Sequence, residues 1–478
     1  MNVAVSCLQS PAAAREELYD KYASRLVTNR RLDRKLVSFQ GNRTLPFYRW
    51  VKYKEGYSAD FVRYIIEELG VKPGVLLDPF AGTGATLFAG RAMGWDTIGI
   101  ELLPVGVFAM EGRLAAETVD PAAFKRAVAK AQAVDWEARY DPAFALSHVA
   151  ITRKAFPEPT ERAIAGYRAY CSGIRDARVK KLFELACLAV LESVSYTRKD
   201  GQYLRWDHRC KRDRLKSHFD KGRIEPFGPA VLAKLREIDR DLSAGGRERD
   251  SLFTPGGKLR MGSVDLRRGS CLDLLPRLSS RSVDLVITSP PYCNRYDYTR
   301  TYALELVFLG ADTNVINNLR QAMLSCTVEN KTKVAALRDQ YERGGHGDVF
   351  ARVMEAFESQ DALQEILVIL EGLGAEGRLN NVNIPNLVRN YFLEMSFVLY
   401  ELSRILRRRG KIVMVNDNVR YAGEEIPVDL ILSDLSECFG LRTSHIWKLP
   451  RGKGNSSQQM GNHGRSELRK CVYVWEKP

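Results

Sequence analysis

The hydrophobic pattern becomes regular from residue 74 onward, where short apolar runs enclose a helical stretch. Residues 74–78 form an apolar run that ends in an acid, which predicts a buried strand. A glycine-bearing turn follows, and residues 85–93 are small and apolar enough for a helix packed close to a sheet. Residues 97–100 predict a second buried strand, ending at Glu101. Strand, turn, helix and strand together form a βαβ unit, which implies a parallel sheet.

The strand pattern returns far downstream. Residues 390–408 have helical apolar spacing and stop before Gly410, so they predict a helix that leads back to the sheet. Five further strands are predicted, at residues 264–268, 283–287, 411–416, 443–449 and 470–475. The last two have the pattern of paired strands around a glycine-rich polar loop at 451–465.

Two long stretches between these strands have mostly helical patterns. Because strands on both sides are needed to complete one sheet, we interpret both stretches as insertions in a single sheet domain. The interpretation divides the chain into an N-terminal helical extension (1–44), the first part of the sheet domain (45–111), a helical insertion (112–258), the second part (259–309), a second helical insertion (310–388) and the third part (389–478).

The amino-acid composition indicates the type of binding partner and the cellular compartment. Lys and Arg exceed Asp and Glu by 72 − 58 = 14 among the 478 residues, which favours a polyanionic partner. No apolar run reaches the roughly 18 residues of a membrane span, and the N-terminus lacks the pattern of a signal peptide. The nine cysteines include no CxxC pair, which argues against a zinc ribbon and is typical of a reducing cytoplasm.

The turn after the first strand has the pattern of a nucleotide-type site. Residues 78–84 read Asp-Pro-Phe-Ala-Gly-Thr-Gly and are called the glycine turn below. Gly82 and Gly84 allow a tight turn and close approach of a ligand, although a structural turn alone would also explain them. Glu101, about 20 positions on, is placed to accept hydrogen bonds from ribose hydroxyls. Because no phosphate-binding GxxxxGK motif is present, a nucleoside-like cofactor is favoured.

A second turn follows the strand at 283–287. Residues 289–292 read Ser-Pro-Pro-Tyr and are called the proline turn below. Two prolines fix the backbone and remove two N–H donors, which leaves a carbonyl and the Ser289 hydroxyl as acceptors beside the flat ring of Tyr292. Such a pocket suits a planar base that carries an amino group. In isolation, a turn that merely ends a strand would explain the tetrapeptide equally well.

Together the two turns resemble the amino-methyltransferases of DNA, which make N4-methylcytosine or N6-methyladenine. The resemblance covers roughly residues 45–110, 262–305 and 390–478, and residues 50–58 are similar to the segment that packs over the methionine end of the cofactor. It implies a Rossmann-like class I fold, an α/β fold with a mostly parallel seven-stranded sheet, and S-adenosyl-L-methionine as cofactor. The cofactor-binding residues it implies are Asp78, Phe80, Ala81, Gly82, Thr83, Gly84, Glu101 at the ribose and Asp273 at the adenine. The catalytic residues it implies are Ser289, Pro290, Pro291 and Tyr292.

The resemblance implies a site-specific methyltransferase that acts on a base flipped out of double-stranded DNA. Serine at position 289 favours cytosine N4 over adenine N6, and methylation of an RNA amine stays open. Carbon-5 methylation is disfavoured because Tyr292, rather than a cysteine, follows the prolines. An alternative from another class is a non-enzymatic DNA-binding subunit of a restriction or phage-defence system, and proteins of such a system are possible partners.

DNA contacts are predicted in three places. Residues 198–223 carry ten basic and four acidic residues with interleaved aromatics, which suits phosphates and bases but also a solvated face. The candidates there are Arg198, Lys199, Tyr203 and Arg205. Arg295 and Tyr296 follow the proline turn, and Arg451, Lys453 and Asn455 lie in the polar loop. The histidines have no metal-ligand spacing, so no metal site is expected. The large insertion between Glu101 and Asp273 departs from the common layouts of the family and leaves the recognition region open.

Overall fold

The computed structural model describes residues 12–200, 203–212, 218–244, 261–450 and 468–478. Its main sheet has eight strands in the order β1-β11-β12-β8-β7-β2-β3-β6. The strands of this sheet are β1 Leu26–Thr28, β2 Val75–Asp78, β3 Asp96–Glu101, β6 Val264–Arg268, β7 Val283–Thr288, β8 Leu406–Asp417, β11 Arg442–Lys448 and β12 Lys470–Glu476. Only the two pairings of β12, with β8 and with β11, are antiparallel.

This sheet confirms the predicted α/β class with a mostly parallel sheet. All seven strands expected from the sequence form, and the eighth is the edge strand β1, which pairs in parallel with β11 from Leu26↔Ile446 onward. Two hairpins were not foreseen: β4 Thr197–Asp200 with β5 Tyr203–Trp206, and β9 Val419–Tyr421 with β10 Glu424–Ile426. The helix predicted to reach residue 408 ends at Ile405, where β8 begins directly.

Helices fill the intervals between the strands. The helices of the first half are α1 Ala13–Tyr22, α2 Ala59–Leu69, α3 Ala85–Ala92, α4 Pro104–Thr118, α5 Pro121–Ala131, α6 Glu158–Ser172, α7 Ala177–Val194 and α8 Phe227–Ser243. Those of the second half are α9 Cys271–Leu274, α10 Tyr298–Thr301, α11 Ala303–Phe308, α12 Thr313–Ala322, α13 Val334–Arg343, α14 Gly347–Glu358, α15 Asp361–Ala375, α16 Ile384–Ile405 and α17 Val428–Cys438. In the described part of the chain, no helix combines the length and apolarity needed to cross a membrane.

Alternating residues of the central strands enter two different cores. On one face, Leu77 and Val286 pack with the helices from α13 to α17. On the other face, Leu76 and Leu285 pack with α2 and α3. A third core joins α4 to α8 with α11, so the first helical stretch has a hydrophobic interior of its own. The strands are therefore buried on both faces, as parallel strands covered by helices require.

Candidate active site

The glycine turn and the proline turn leave neighbouring strands of the sheet. β2 and β7 pair in parallel, with Leu76 opposite Leu285 and Leu77 opposite Val286. The chain runs outward from β2 through β3 to β6 and then returns to β7 on the other side of β2. The strand order thus reverses between β2 and β7, and ligands of open α/β sheets bind beyond the carboxyl ends at such a point.

A cavity lies at this reversal point, with an empty volume of about 850 Å³ that includes space open to solvent. Residues from the glycine turn, from β3 and from the proline turn all contribute to its wall. The main contributors are Phe39, Asn42, Tyr53, Glu55, Gly56, Tyr57, Asp78, Pro79, Phe80, Ala81, Gly82, Thr83, Ala85, Glu101, Gly269, Ser270, Cys271, Ser289, Pro291, Tyr298, Met323 and Leu324. The fold therefore brings together two turns that are more than 200 positions apart in the sequence.

The glycine turn has a backbone that only glycine adopts readily. Gly82 and Gly84 have φ angles of +55° and +83°, in the left-handed region. A Cβ atom at Gly82 would also lie 3.1 Å from the ring of Tyr53. The Ala81 N–H donates to the carbonyl of Ile100 at 2.9 Å, which ties the turn to β3. The turn is therefore fixed in shape, and its backbone is open to a closely fitting ligand.

Glu101 lies at the end of β3 and faces this turn. Its carboxylate accepts hydrogen bonds from the N–H groups of Gly82, at 2.7 Å, and Leu103, at 2.6 Å. Burial raises the pKa of Glu101 to about 7. Each carboxylate oxygen retains further acceptor capacity for ribose hydroxyls. Together with the aromatic rings of Phe39, Tyr53 and Phe80 in the same wall, this acceptor fits a nucleoside-type cofactor.

A buried hydroxyl network joins the ends of β2 and β7. Asp78 accepts hydrogen bonds from the hydroxyls of Thr288, at 2.7 Å, and Tyr57, at 3.0 Å. The Tyr57 hydroxyl also lies 2.9 Å from the carbonyl of Ile287, and Thr86 contacts the same carbonyl at 3.3 Å. Burial raises the pKa of Asp78. These bonds hold the last residues of the two strands at a fixed separation, and thereby hold the two turns.

The proline turn directs part of its polar surface into the cavity. Ser289 and Pro291 line the wall, whereas Pro290 and Tyr292 are not among the lining residues. The Ser289 hydroxyl donates to the Tyr292 hydroxyl at 3.2 Å, so its oxygen remains an acceptor. Lys470 lies 3.5 Å from the same phenol oxygen. Burial raises the pKa of Tyr292, which therefore stays neutral as a hydrogen-bonding group.

Asp273, expected near the adenine, lies elsewhere. It is exposed on α9 and does not line the cavity. The preceding residues Ser270 and Cys271 line it instead, and the hydroxyl of Ser270 caps α9 by accepting a hydrogen bond from the N–H of Leu272. Gly84, the N-cap residue that precedes α3, likewise is not part of the wall, while Thr83 is part of it.

The basic candidates of the β4–β5 hairpin separate into two groups. Arg198 is exposed, and both Arg198 and Arg205 lie over the ring of Phe219. Lys199 instead is buried, with its ammonium group bonded to the carboxylate of Glu305. This placement corrects the expectation of a phosphate contact at Lys199, because the ion pair and the burial keep it from solvent. The backbone of Tyr203 lies in β5, and its side chain lies outside the described part.

The candidates after the proline turn already have protein partners. Arg295, at a φ angle of +63°, donates to the side-chain oxygen of Asn380 at 2.8 Å. The hydroxyl of Tyr296 donates to Glu55. Arg451, Lys453 and Asn455 lie outside the described residues. Within the described ranges, no group of three or more His, Cys, Asp or Glu side chains is arranged to hold a metal ion.

Several cavity residues carry no motif that a sequence pattern could single out. Met323 and Leu324 come from the second helical stretch, and Phe39 and Asn42 come from the N-terminal part. Tyr53, Glu55 and Tyr57 lie in residues 50–58. For these three residues, the only signal in the sequence was the similarity of that segment to the one that packs over the methionine end of the cofactor. Tyr298 lines the cavity, whereas Tyr302 is fully buried beside Tyr53 with ring centroids 5.0 Å apart.

The sheet order, the glycine turn at the reversal point and the acidic end of β3 define a Rossmann-like methyltransferase. No family model matches the chain. The chain is 42% identical over 475 residues, 99% of its length, to the type II methyltransferases M.AvaI of Nostoc sp. and of Anabaena variabilis, and covers 95% of each. It is 37% identical over 484 residues to the type II methyltransferase M.BsoBI of Geobacillus stearothermophilus, covering 98% of this chain and 93% of that one.

The chain belongs to the type II methyltransferase family. This membership confirms the resemblance to DNA methyltransferases at the level of the family and implies a methyl donor of the S-adenosylmethionine type.

Proposed function

We propose that the protein is a site-specific DNA methyltransferase that transfers the methyl group of S-adenosylmethionine to an exocyclic amine, with cytosine N4 as the favoured target. The observation that supports this proposal most directly is the shared cavity of the glycine turn and the proline turn. One end of the cavity offers the Glu101 carboxylate and the other offers the acceptors of the proline turn. A nucleoside cofactor and a nucleobase could therefore occupy it at the same time.

The chain's own groups would bind and orient rather than form a covalent intermediate. When bound, S-adenosylmethionine supplies an electrophilic methyl group. Ser289 would accept a hydrogen bond from the target amine and hold its nitrogen lone pair toward that methyl group. Pro290 and Pro291 fix the backbone that presents the serine, and Tyr292 supports the Ser289 hydroxyl from behind at 3.2 Å. A flipped base is required because the amine of a stacked base cannot reach the cavity.

The favoured surface for DNA is the β4–β5 hairpin. It contacts α10, the helix that follows the proline turn, so it lies beside the catalytic end of the cavity. Arg198 is exposed on this hairpin, and Lys52 and Lys54 are exposed on the segment next to Glu55. Lys54 donates to the carbonyl of Lys199, which joins the two basic segments. Phosphates that flank a flipped nucleotide would find positive charge there.

The decisive experiment is mass spectrometry of nucleosides from DNA incubated with the full chain and S-adenosylmethionine. N4-methylcytosine is the expected product. If N6-methyladenine forms instead, adenine is the target base and the preference for cytosine is wrong. RNA incubated in parallel should gain no methyl group. If the wild-type chain fails to bind S-adenosylmethionine by calorimetry, the enzyme proposal is wrong and a non-catalytic DNA-binding role would take its place. Ser289→Ala should form much less product in the same experiment. Ser279→Ala, the same change on the exposed surface, is its matched control.

A further inference from the structure

The cavity wall includes the carboxylate of Glu55 in addition to those of Asp78 and Glu101. Glu55 precedes α2, and its half-buried side chain lines the cavity. The hydroxyls of Tyr296 and Tyr302 each donate to a different oxygen of this carboxylate. Two donors from the segment after the proline turn thus hold a carboxylate that comes from the segment before α2. The held carboxylate retains acceptor capacity toward the cavity.

Ring contacts connect Glu55 to the glycine turn. The ring of Tyr53 packs against the glycine turn, because a Cβ atom at Gly82 would lie 3.1 Å from it. The same ring stacks on Tyr302 at 5.0 Å between centroids, and the Tyr302 hydroxyl holds Glu55. The stacked rings of Tyr302 and Tyr53 therefore connect the Glu55 carboxylate to the glycine turn, which Glu101 also contacts.

The other donor connects Glu55 to the catalytic end. The ring of Tyr296 packs edge-on against Tyr298 with centroids 4.9 Å apart. Tyr298 lines the cavity together with Ser289 and Pro291. Glu55 is accordingly linked through Tyr302 and Tyr53 to the glycine turn, and through Tyr296 and Tyr298 to the wall that includes Ser289. In a methyl donor of the S-adenosylmethionine type, the sulfonium lies between those same two points.

We infer that Glu55 is the charge partner of the sulfonium and that it lets the protein distinguish the methyl donor from its product. The inference rests on the proposed function. S-adenosylmethionine carries a permanent positive charge on sulfur, whereas S-adenosylhomocysteine, formed when the methyl group leaves, has a neutral thioether at the same place. A carboxylate attracts the first and gains nothing from the second. The donor is bound in preference, and the product leaves more readily.

The test is titration calorimetry of the full chain with each of the two ligands. Glu55→Gln keeps the size of the side chain and an acceptor for one of the two tyrosine hydroxyls but removes the charge. The ratio of affinities, S-adenosylmethionine over S-adenosylhomocysteine, should fall about tenfold, with the affinity for S-adenosylhomocysteine nearly unchanged. Glu67→Gln, the same change on the exposed side of α2, should leave the ratio as in the wild type.

An unchanged ratio in Glu55→Gln, or an equal loss of affinity for both ligands, would overturn the inference, because either result describes a structural role. If Glu55→Gln does not fold, the ratio of affinities is measured in Tyr302→Phe instead. This change keeps the ring and removes one of the two donors that hold the carboxylate. A ratio lowered in that variant supports the inference and an unchanged ratio overturns it. A wild-type chain that binds neither ligand would instead refute the proposed function itself.

Discussion

Gly106 offers a sharp test of how the cofactor end of the cavity is built. It lies in the first turn of α4, outside both motif turns, and a Cβ atom there would be 2.4 Å from the carbonyl oxygen of Gly82 and 3.0 Å from Cγ of Glu101. Real Cβ atoms essentially never approach closer than 3.0 Å, so Gly106→Ala must separate α4 from the glycine turn by about 0.6 Å. The obstructing atom is backbone, which cannot rotate away.

The size of the effect follows from where the strain is relieved. Overpacking of this kind costs about 1–3 kcal/mol. In the Gly106→Ala variant the clash displaces the glycine turn from its wild-type shape, and binding of the cofactor requires the turn to return. Cofactor affinity should therefore fall by about 5- to 150-fold.

The assay is calorimetry with S-adenosylmethionine, and Gly112→Ala on the same helix is the control. A Cβ atom at Gly112 would meet only the end of the Leu185 side chain, at 2.8 Å, which can rotate. Both changes replace glycine by a better helix former, worth about 1 kcal/mol, so helix propensity cannot explain a difference between them. Equal affinity of Gly106→Ala and wild type would refute the reasoning.

Three further predictions test the charged and polar groups. The raised pKa of Glu101, about 7, means that the folded protein holds this proton more tightly than the unfolded chain, so the stabilisation is complete below the ordinary glutamate pKa and lost as pH rises through 7. The free energy of unfolding of the wild type, measured by urea titration, should therefore fall by about 3 kcal/mol between acid and neutral pH. Glu101→Gln should not show this fall, and parallel pH profiles of the two proteins would contradict the prediction. Ser289→Ala should lower turnover by about 100-fold in tritiated-methyl transfer while calorimetric cofactor affinity is retained; full turnover would remove the serine from the mechanism. Lys199→Ala should destabilise the fold by about 3–5 kcal/mol because Glu305 loses its buried partner. Arg198→Ala should keep the stability and lower the slope of log affinity for DNA against log salt concentration by about one unit. The reverse pattern would refute this division.

Local patterns were sufficient for much of the sheet. A strand buried on both faces appears in the sequence as a short apolar run, and six of the seven predicted strands formed within one residue of their expected bounds. The seventh, β8, begins at Leu406, five residues before its expected start. The strand β1 was missed because its three residues are mostly exposed and gain their place only by pairing with β11. The β4–β5 hairpin was missed because its residues are charged, so its pattern resembles that of a polar surface.

The cavity divides in the same way between local and distant causes. The turn at 78–84 and Glu101 belong to one βαβ unit, so spacing along the chain suffices to place them together. Asp273 is exposed on α9, while Ser270 and Cys271 line the cavity, because which side of a short helix faces the wall depends on how that helix packs.

The sequence by itself determined the class of protein, since the βαβ unit, the acidic strand end and the two motif turns are features of short segments. Only the tertiary structure decided which other groups reach the cavity. Glu55 is held by Tyr296 and Tyr302, which are more than 240 positions away, and Lys199 changes from a surface cation to half of a buried ion pair through Glu305. The physical reason is that hydrogen bonds and ion pairs act over a few ångströms in space, and burial depends on what packs against a side chain, so neither is expressed in the spacing of residues along the chain.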